Sequence, residues 1–370
     1  HHSLIHLEFY RCQFNENDAE RLVTLENQGN LFYLLVSQEV YQLNKRSKYR
    51  EDTFLLFVLP FTSFVSFAYL ELKSNVMKWK LDGQTIADGN KQGDKLNQLS
   101  CPHGIHVDDE EQCIYIADKE NHRIVKWKLD GGSDHGEIVA GGNGKGKRID
   151  LLSSPTDVSL DEKKKSLIIC DQGNRRVIRW SLENPNDKEI LIENISCQTL
   201  MMNETGDLFV SDANEHAVKR WRKGEKGGKG NQLNQLNEPT YIFVDQEDTV
   251  YISDSGNHRV MKWLKDASEG IVVAGGHGQG NSLKQLDCPQ GLLVNEIDDI
   301  YMADSENHRI MCWSLGSKEG RIVIGGNGRG IESNQFRRPT GLTFDIDNNL
   351  YVVDCDNHRI QRFCVDNKSE

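Results

Sequence analysis

Residues 300–313 read IYMADSENHRIMCW, an apolar run that ends on aspartate and continues into Asn-His-Arg, an aliphatic residue and an aromatic residue. Near-copies of this stretch occur six times between residues 114 and 363. The successive aspartates are 53, 41, 42, 50 and 50 residues apart, at Asp118, Asp171, Asp212, Asp254, Asp304 and Asp354. A period of this length is typical of a repeat architecture. The 370 residues therefore favour one closed array of six units over two average domains.

Each repeat contains four strand-sized pieces. In the first unit these are residues 102–108 after a proline, the apolar run 114–118, the alternating run 123–129, and residues 138–142, which end in glycines. A short run rich in β-branched and aromatic residues predicts a strand buried on both faces, and alternation predicts one wetter face. Each unit is therefore predicted to form a four-stranded antiparallel sheet.

Sheets with buried inner strands must pack against other sheets, and six of them arranged radially form a closed β-propeller. The sixth unit ends near Asp366 after three strands, whereas residues 84–93 match a fourth strand with its loop. We therefore expect a strand at residues 85–88 to complete the last blade. The third unit has no apolar fourth strand in residues 222–230, so we expect that blade to be three-stranded. The second unit keeps a strand at residues 189–192 and has Cys197 where the other units have proline.

The repeats resemble NHL repeats, which are named for Asn-His-Leu and its variants, and the resemblance covers about residues 75–366. It implies an all-β, six-bladed NHL-type β-propeller. The family also includes RNA-binding propellers attached to RING and B-box modules that link them to ubiquitin ligation. The sequence contains neither module, so we do not carry that function over, although RNA binding or a role as a ubiquitin-ligase substrate receptor stays an alternative.

The repeat motif is predicted to be structural. Asn suits the left-handed backbone of a tight turn, and Asp and Arg can join blades by a charge-assisted hydrogen bond. The predicted structural residues are Asp118, Asn121, Arg123, Asp171, Asn174, Arg176, Asp212, Asp254, Asn257, Arg259, Asp304, Asn307, Arg309, Asp354, Asn357 and Arg359. Five histidines share one repeat position, namely His122, His216, His258, His308 and His358. Equivalent turns are spread around a ring, too far apart to share a metal ion.

Charge and cysteine content exclude other classes. The formal net charge is −12, of which −1 falls in residues 1–83 and −11 in the repeats, so a nucleic-acid partner is not expected. The nine cysteines form no CxxC pair and have no zinc-finger spacing. Cys101 and Cys288 share a repeat position, but their units, the first and the fifth, would not be neighbours in a ring.

Residues 1–52 carry no repeat signal. Residues 54–70 form an uncharged run that follows a basic cluster at residues 45–50 and ends near Ser66-Phe67-Ala68, the layout of a secretory signal peptide. A membrane anchor is the alternative, although 17 residues is short and Pro60 interrupts the run. A third interpretation is that residues 1–73 are mistranslated sequence or a poorly folded extension. We therefore divide the chain into an extension, 1–73, and a propeller, 75–370, and expect an extracellular or cell-surface location, with a cytoplasmic one as the alternative.

The candidate ligand face lies at the mouth of the central channel, where the first strands begin. The residues that follow the repeat proline are predicted to line it: His103, Thr156, Gln198, Thr240, Gln290 and Thr340. We expect a non-enzymatic binding platform, a scaffold that presents loops to a protein or peptide partner, as binding residues often lie on loops of a rigid scaffold. We expect no cofactor and a monomer. The alternative is a propeller enzyme of the metal-dependent hydrolase or lyase type, which would need ligands converging on the axis.

Overall fold

A computed structural model describes residues 11–14, 21–27, 30–36, 77–87, 91–129, 134–161, 163, 165–184, 186–222, 231–233 and 236–366. The chain divides into two compact units, His1–Met77 and Lys78–Glu370. The first contains a three-stranded antiparallel sheet of β1 (Arg11–Phe14), β2 (Arg21–Asn27) and β3 (Asn30–Val36). The apolar segment 54–70 lies outside the described residues. In the described part of the chain, no helix is long and apolar enough to span a membrane.

The second unit is built from six four-stranded antiparallel sheets. Its strands are β4 (Gln84–Ala87), β5 (Pro102–Asp108), β6 (Cys113–Asp118), β7 (Arg123–Lys128), β8 (Glu137–Gly141), β9 (Asp157–Asp161), β10 (Ser166–Asp171), β11 (Arg176–Ser181), β12 (Lys188–Glu193), β13 (Cys197–Met202), β14 (Leu208–Asp212), β15 (Ala217–Trp221), β16 (Asn231–Leu233), β17 (Pro239–Val244), β18 (Val250–Asp254), β19 (Arg259–Trp263), β20 (Ile271–Gly275), β21 (Pro289–Val294), β22 (Ile300–Asp304), β23 (Arg309–Trp313), β24 (Arg321–Gly325), β25 (Pro339–Phe344), β26 (Leu350–Asp354) and β27 (Arg359–Phe363). Blade one contains β5–β8, blade two β9–β12, blade three β13–β16, blade four β17–β20, blade five β21–β24, and blade six β25–β27 with β4. The six-bladed propeller predicted from the repeats is confirmed.

The core lies between neighbouring blades. Every residue of the second strand is buried in all six blades, as the continuous apolar runs predict. Between blades one and two, for example, Tyr115, Leu167 and Trp180 belong to one buried cluster. Full burial of one large apolar side chain contributes about 1.5–3 kcal/mol, so stacking of the blades supplies the driving force that a single sheet lacks.

Blade six combines strands from both ends of the second unit. β4 pairs antiparallel with β27, with Ala87 opposite Ile360, so the chain that precedes blade one supplies the outer strand of blade six. β4 begins one residue before the predicted segment. Upstream of it, the Trp79 ring stacks on Phe344 with centroids 5.8 Å apart, and its Nε1 donates a hydrogen bond to Asn348 O at 2.9 Å. The N-terminal side of the propeller is thus held by backbone pairing and by aromatic packing.

The expectation of a three-stranded third blade is wrong. β16 pairs antiparallel with β15, with Leu233 opposite Val218, and completes the blade. An edge strand needs only backbone groups for pairing, so a fourth strand can form without the apolar run that marks it in other units. β16 also begins after the glycine- and lysine-rich residues 222–230, and the sequence pattern predicts no strand within those residues. In blade two, β12 spans the predicted residues.

Candidate functional site

The repeat motif builds a turn between the second and third strands of each blade. In blade one, β6 ends at Asp118, residues 119–121 form a 3₁₀ turn, and His122 has φ 54° and ψ 43°. Asn121 donates hydrogen bonds of 2.8 Å from Nδ2 to Asp118 Oδ2 and to Gly93 O. The left-handed residue is therefore the histidine and not the asparagine. Asparagine instead ties the aspartate to the loop before the blade, a contact that turn propensity alone does not predict.

The aspartate and arginine of the motif hold the loop that enters each blade. Arg123 donates from Nε to Asp118 Oδ2 at 2.7 Å, and Asp118 Oδ1 accepts from the Ser100 backbone N–H at 2.7 Å. The other guanidinium nitrogens donate to the carbonyls of Asp94, Lys95 and Gln98 at 2.8–2.9 Å. The Asp–Arg pair recurs as Asp171–Arg176, Asp254–Arg259, Asp304–Arg309 and Asp354–Arg359. These pairs join consecutive blades through the connecting loop.

Blade three departs from this pattern. Ala217 replaces the arginine, and Lys219 Nζ instead contacts Asp212 Oδ2 at 2.8 Å. Glu215 stands where the other units have asparagine. The buried aspartate of this blade is therefore paired by a single ammonium group in place of a planar guanidinium fork.

The five repeat histidines connect neighbouring blades. Each accepts a hydrogen bond at Nδ1 from the backbone N–H of the residue before the repeat proline of the next blade. The pairs are His122 with Ser154, His216 with Glu238, His258 with Cys288, His308 with Arg338 and His358 with Cys101, at 3.0–3.3 Å. A neutral imidazole that accepts at Nδ1 carries its proton on Nε2, so neither nitrogen has a free lone pair. The structural interpretation of these histidines follows from this geometry.

Two groups of three residues in the described ranges bring metal-ligating atoms within 4.8 Å of one another. In the first, His258 already accepts the Cys288 N–H at Nδ1, which disfavours a metal bond by the same ring. In the second, which joins Cys101, Cys355 and Asp356, the carboxylate lies 4.0 Å from guanidinium nitrogens of both Arg329 and Arg337. Nearby positive charge opposes a bound cation, so neither group is arranged as a metal site.

The first strands surround the axis, and threonines join them. Thr156 Oγ1 donates to Cys197 O, Thr240 Oγ1 to Pro289 O and Thr340 Oγ1 to His103 O, each at 3.1 Å. Thr156 and Thr340 are buried. The structure therefore places these two of the six predicted channel-mouth residues in buried positions, where their hydroxyls contact the next blade.

A cavity of 340 Å³ lies at the mouth of the channel. It is lined by His103, Gln172, Ser196, Gln198, Ala213, Asn214, Glu238, Thr240 and Gln290, here called the mouth cavity. The structure thus brings together four of the six residues proposed from sequence. The remaining lining residues were not predicted, although the position of the turn after the motif aspartate could have identified Gln172, Ala213 and Asn214. The start of an antiparallel first strand and the end of the second meet at one edge, so turns after the motif aspartate share the mouth.

Tyr241 contacts His103, one of the residues that line this cavity. It comes from blade four, opposite blade one in a six-membered ring, and its hydroxyl donates to His103 O at 2.8 Å. The two rings stack with centroids 5.7 Å apart. Blade six has Gly341 at the repeat position that Tyr241 occupies in blade four. A Cβ at residue 341 would lie 2.6 Å from His103 O, so the glycine leaves space beside this carbonyl for the Tyr241 hydroxyl. Tyr241 therefore fills the axis of the propeller with a buried aromatic ring.

Burial shifts the pKa of two titratable groups near the axis, His103 and Asp157. Burial lowers the pKa of His103 to about 3, and its Nδ1 lies 3.0 Å from Thr156 O. Burial raises the pKa of Asp157 to about 6, against the hydrogen bonds that its carboxylate accepts from Thr199 Oγ1 and the Leu200 N–H. The mouth cavity above them presents carboxamides, hydroxyls and the exposed carboxylate of Glu238. Such a surface suits hydrogen bonding to a polar ligand with little or no negative charge.

Comparisons with known proteins agree with this architecture. A family model described as the NHL repeat matches residues 99–127 and 336–363, which lie in blades one and six. No curated protein matches the chain significantly. An auxiliary nutrient binding protein from Bacteroides thetaiotaomicron is similar in structure, with a TM-score of 0.59, 15% identity, and coverage of 94% of this chain and 83% of its own.

Two further solved structures are similar. An auxiliary nutrient binding protein from Bacteroides ovatus has a TM-score of 0.56 and 14% identity, covering 94% of this chain and 89% of its own. A gluconolactonase from Xanthomonas campestris has a TM-score of 0.55 and 12% identity, covering 78% of this chain and 94% of its own. At these identities the similarity concerns the fold alone. The family match in blades one and six and the six sheets together show that the chain contains NHL repeats and folds as a six-bladed β-propeller.

Proposed function

We propose that the chain is a non-enzymatic binding protein whose propeller presents the mouth cavity to a segment of a protein or peptide partner. The observation that carries this proposal is the chemistry of the cavity wall. Carboxamides from three blades converge there, at Gln172, Gln198, Asn214 and Gln290. A carboxamide offers both N–H donors and a carbonyl acceptor, the same groups that alternate along a peptide backbone.

The carboxylate of Glu238 adds a charged group at the rim. It is exposed, and its backbone is fixed by the hydrogen bond from its N–H to His216 Nδ1. A basic side chain or an amino terminus on the partner would pair with it. The proposed ligand is therefore a polar peptide segment that carries a positive charge.

Binding is favoured over catalysis by the state of the axial groups. A general base works best with a pKa near the working pH, whereas the pKa of His103 is lowered to about 3. Asp157 already accepts hydrogen bonds from Thr199 and Leu200. Similarity to a gluconolactonase concerns the fold, so a propeller enzyme stays an alternative prediction. The net charge of −12 argues against RNA.

The proposal includes an extracellular or cell-surface location. It is supported by the signal-like layout of residues 45–70. Two structural neighbours named as auxiliary nutrient binding proteins are consistent with it. Expression of the 370-residue chain in cells, followed by detection of the propeller in the medium or on intact cells, would test this part separately.

Selection of peptides from a random library on the immobilised full-length protein tests the binding proposal. Peptides that bind should lose at least about tenfold in affinity on a Gln198→Ala/Gln290→Ala variant, since each lost hydrogen bond to a buried partner costs about 1 kcal/mol or more. Ile346→Ser is the control, because Ile346 is 76% exposed and lies in the loop that follows the first strand, at the opposite end from the mouth. Equal binding to wild type and the double variant would refute the mouth cavity as the site.

A further inference from the structure

Two cysteines from distant parts of the chain meet where blade six contacts blade one. Cys101 precedes β5, and Cys355 follows Asp354 at the end of β26. Their Sγ atoms lie within 4.8 Å of each other. The residues are 254 positions apart in sequence. Ring closure alone brings them together.

The repeat motif fixes both backbones. The Cys101 N–H donates to His358 Nδ1 at 3.0 Å, and the His358 N–H donates to Cys355 O at 3.0 Å. One histidine thus holds both cysteines. A disulfide requires the sulfurs to approach to about 2.05 Å from the separation of at most 4.8 Å that they have in this structure.

The two thiols differ in access and in acidity. Cys101 is partly exposed, whereas Cys355 is 5% exposed. The hydrogen bond from Cys355 and the charge of Lys119 lower the pKa of Cys101, against the opposing effects of burial, Asp356 and Glu120. The thiolate is the attacking species in disulfide exchange, so Cys101 is the accessible nucleophile and Cys355 the buried resolving thiol.

We propose that Cys101 and Cys355 form a redox modification site that takes a low-molecular-weight disulfide such as glutathione disulfide as its oxidant. The Cys101 thiolate attacks one sulfur of that disulfide, which forms a mixed disulfide and releases one thiolate. The hydrogen bond with Cys101 and burial raise the pKa of Cys355, and the mixed disulfide removes the Cys101 thiolate that contributes to this shift. The Cys355 thiol then loses its proton to solvent, and its sulfur attacks Cys101 Sγ and displaces the second thiolate. The two protein thiols are oxidised to one disulfide, and the oxidant is reduced to two thiols. The new bond links blade six covalently to blade one.

Blade five contains a natural control for this site. Cys288 occupies the position of Cys101, but Ser255 stands at the position of Cys355. Burial, followed by the charge of Asp287, raises the pKa of Cys288 to about 11. Cys288 is therefore a thiol at the same repeat position that lacks the resolving cysteine and is less acidic.

The test treats the reduced full-length protein with glutathione disulfide at pH 8, quenches it by alkylation and maps peptides without reduction. We expect a peptide pair linked through Cys101 and Cys355, and a rise in Tm of about 5 °C that dithiothreitol reverses, because the bond closes a very long loop. In Cys355→Ser the mixed disulfide on Cys101 should persist and the rise in Tm should disappear. Cys288→Ser should behave as wild type.

Two results would overturn the proposal. One is a folded wild type, judged by circular dichroism, in which oxidation yields no Cys101–Cys355 link. The other is modification of Cys288 as fast as that of Cys101, which would mean that the site has no chemical selectivity. The Cys170–Cys197 disulfide between blades two and three is buried on both sides, and the Cys355→Ser variant separates its contribution to Tm from that of the proposed bond.

Discussion

Replacing Arg123 with lysine removes most of one interblade clamp while keeping the charge. The guanidinium donates four hydrogen bonds of 2.7–2.9 Å, one to Asp118 and three to carbonyls of the entering loop. Lysine can retain the contact with Asp118, as Lys219 does with Asp212 in blade three. Its single ammonium group does not reproduce the planar fork that reaches the carbonyls of Asp94, Lys95 and Gln98.

The expected loss of stability is about 3 kcal/mol. Arg123 is 3% exposed, so the carbonyls that it leaves are shielded from water. A hydrogen bond from a charged donor contributes about 1.5–3 kcal/mol, but three bonds from one group are not additive and the loop can relax. For a domain of this size, about 3 kcal/mol corresponds to a decrease in Tm of about 6 °C.

Urea denaturation of the full-length protein, followed by tryptophan fluorescence, measures this loss. The matched control is Arg148→Lys, because Arg148 is 75% exposed and pairs with Asp150 at the surface. A fully exposed ion pair contributes little to stability, so this variant should unfold like wild type. A loss below about 1 kcal/mol for Arg123→Lys, or equal losses for the two variants, would refute the clamp argument.

Three further predictions concern the axis. The pKa of His103 is about 3 in the folded state and 6.5 in the unfolded state, so protonation of the unfolded chain destabilises the fold as the pH falls. Relative to His103→Gln, wild type should therefore lose about 2 kcal/mol of unfolding free energy between pH 6.5 and 5. The same pH dependence of stability in both proteins would refute this. The pKa of Asp157 is about 6 in the folded state and 3.8 in the unfolded state, so the folded protein binds a proton more readily. Relative to Asp157→Asn, wild type should therefore gain about 1 kcal/mol of unfolding free energy as the pH falls from 6 to 5. Urea titrations that show no such gain would contradict this. In thermal unfolding, Tyr241→Ala should lower the free energy of unfolding by about 3–5 kcal/mol, because it removes the ring that fills the axis. Tyr241→Phe should lower it by only about 1 kcal/mol, because it removes the hydroxyl and keeps the ring. Similar losses in the two variants would show that the ring does not fill the axis.

Some contacts of the site were beyond prediction because they depend on the ring as a whole. Thr156 and Thr340 follow the first-strand pattern like Gln198, yet the next blade buries them and uses their hydroxyls. Tyr241 reaches a partner 138 residues away, because blades four and one face each other. Local pattern places each residue on a strand, but it does not specify what the opposite blade presents.

What the sequence alone determined is the repeat, its strands and its turn, because these depend on local periodicity and on side chains within a few residues of one another. The spacing from Asp304 through Arg309 to Trp313 is enough to predict the end of one strand, the turn and the next strand. Closure of the ring decided the rest. It placed Tyr241 of blade four against His103 of blade one, gathered carboxamides around the mouth cavity and placed Cys101 beside Cys355. These contacts join residues far apart in the chain, and only the packing of six blades brings them within bonding distance.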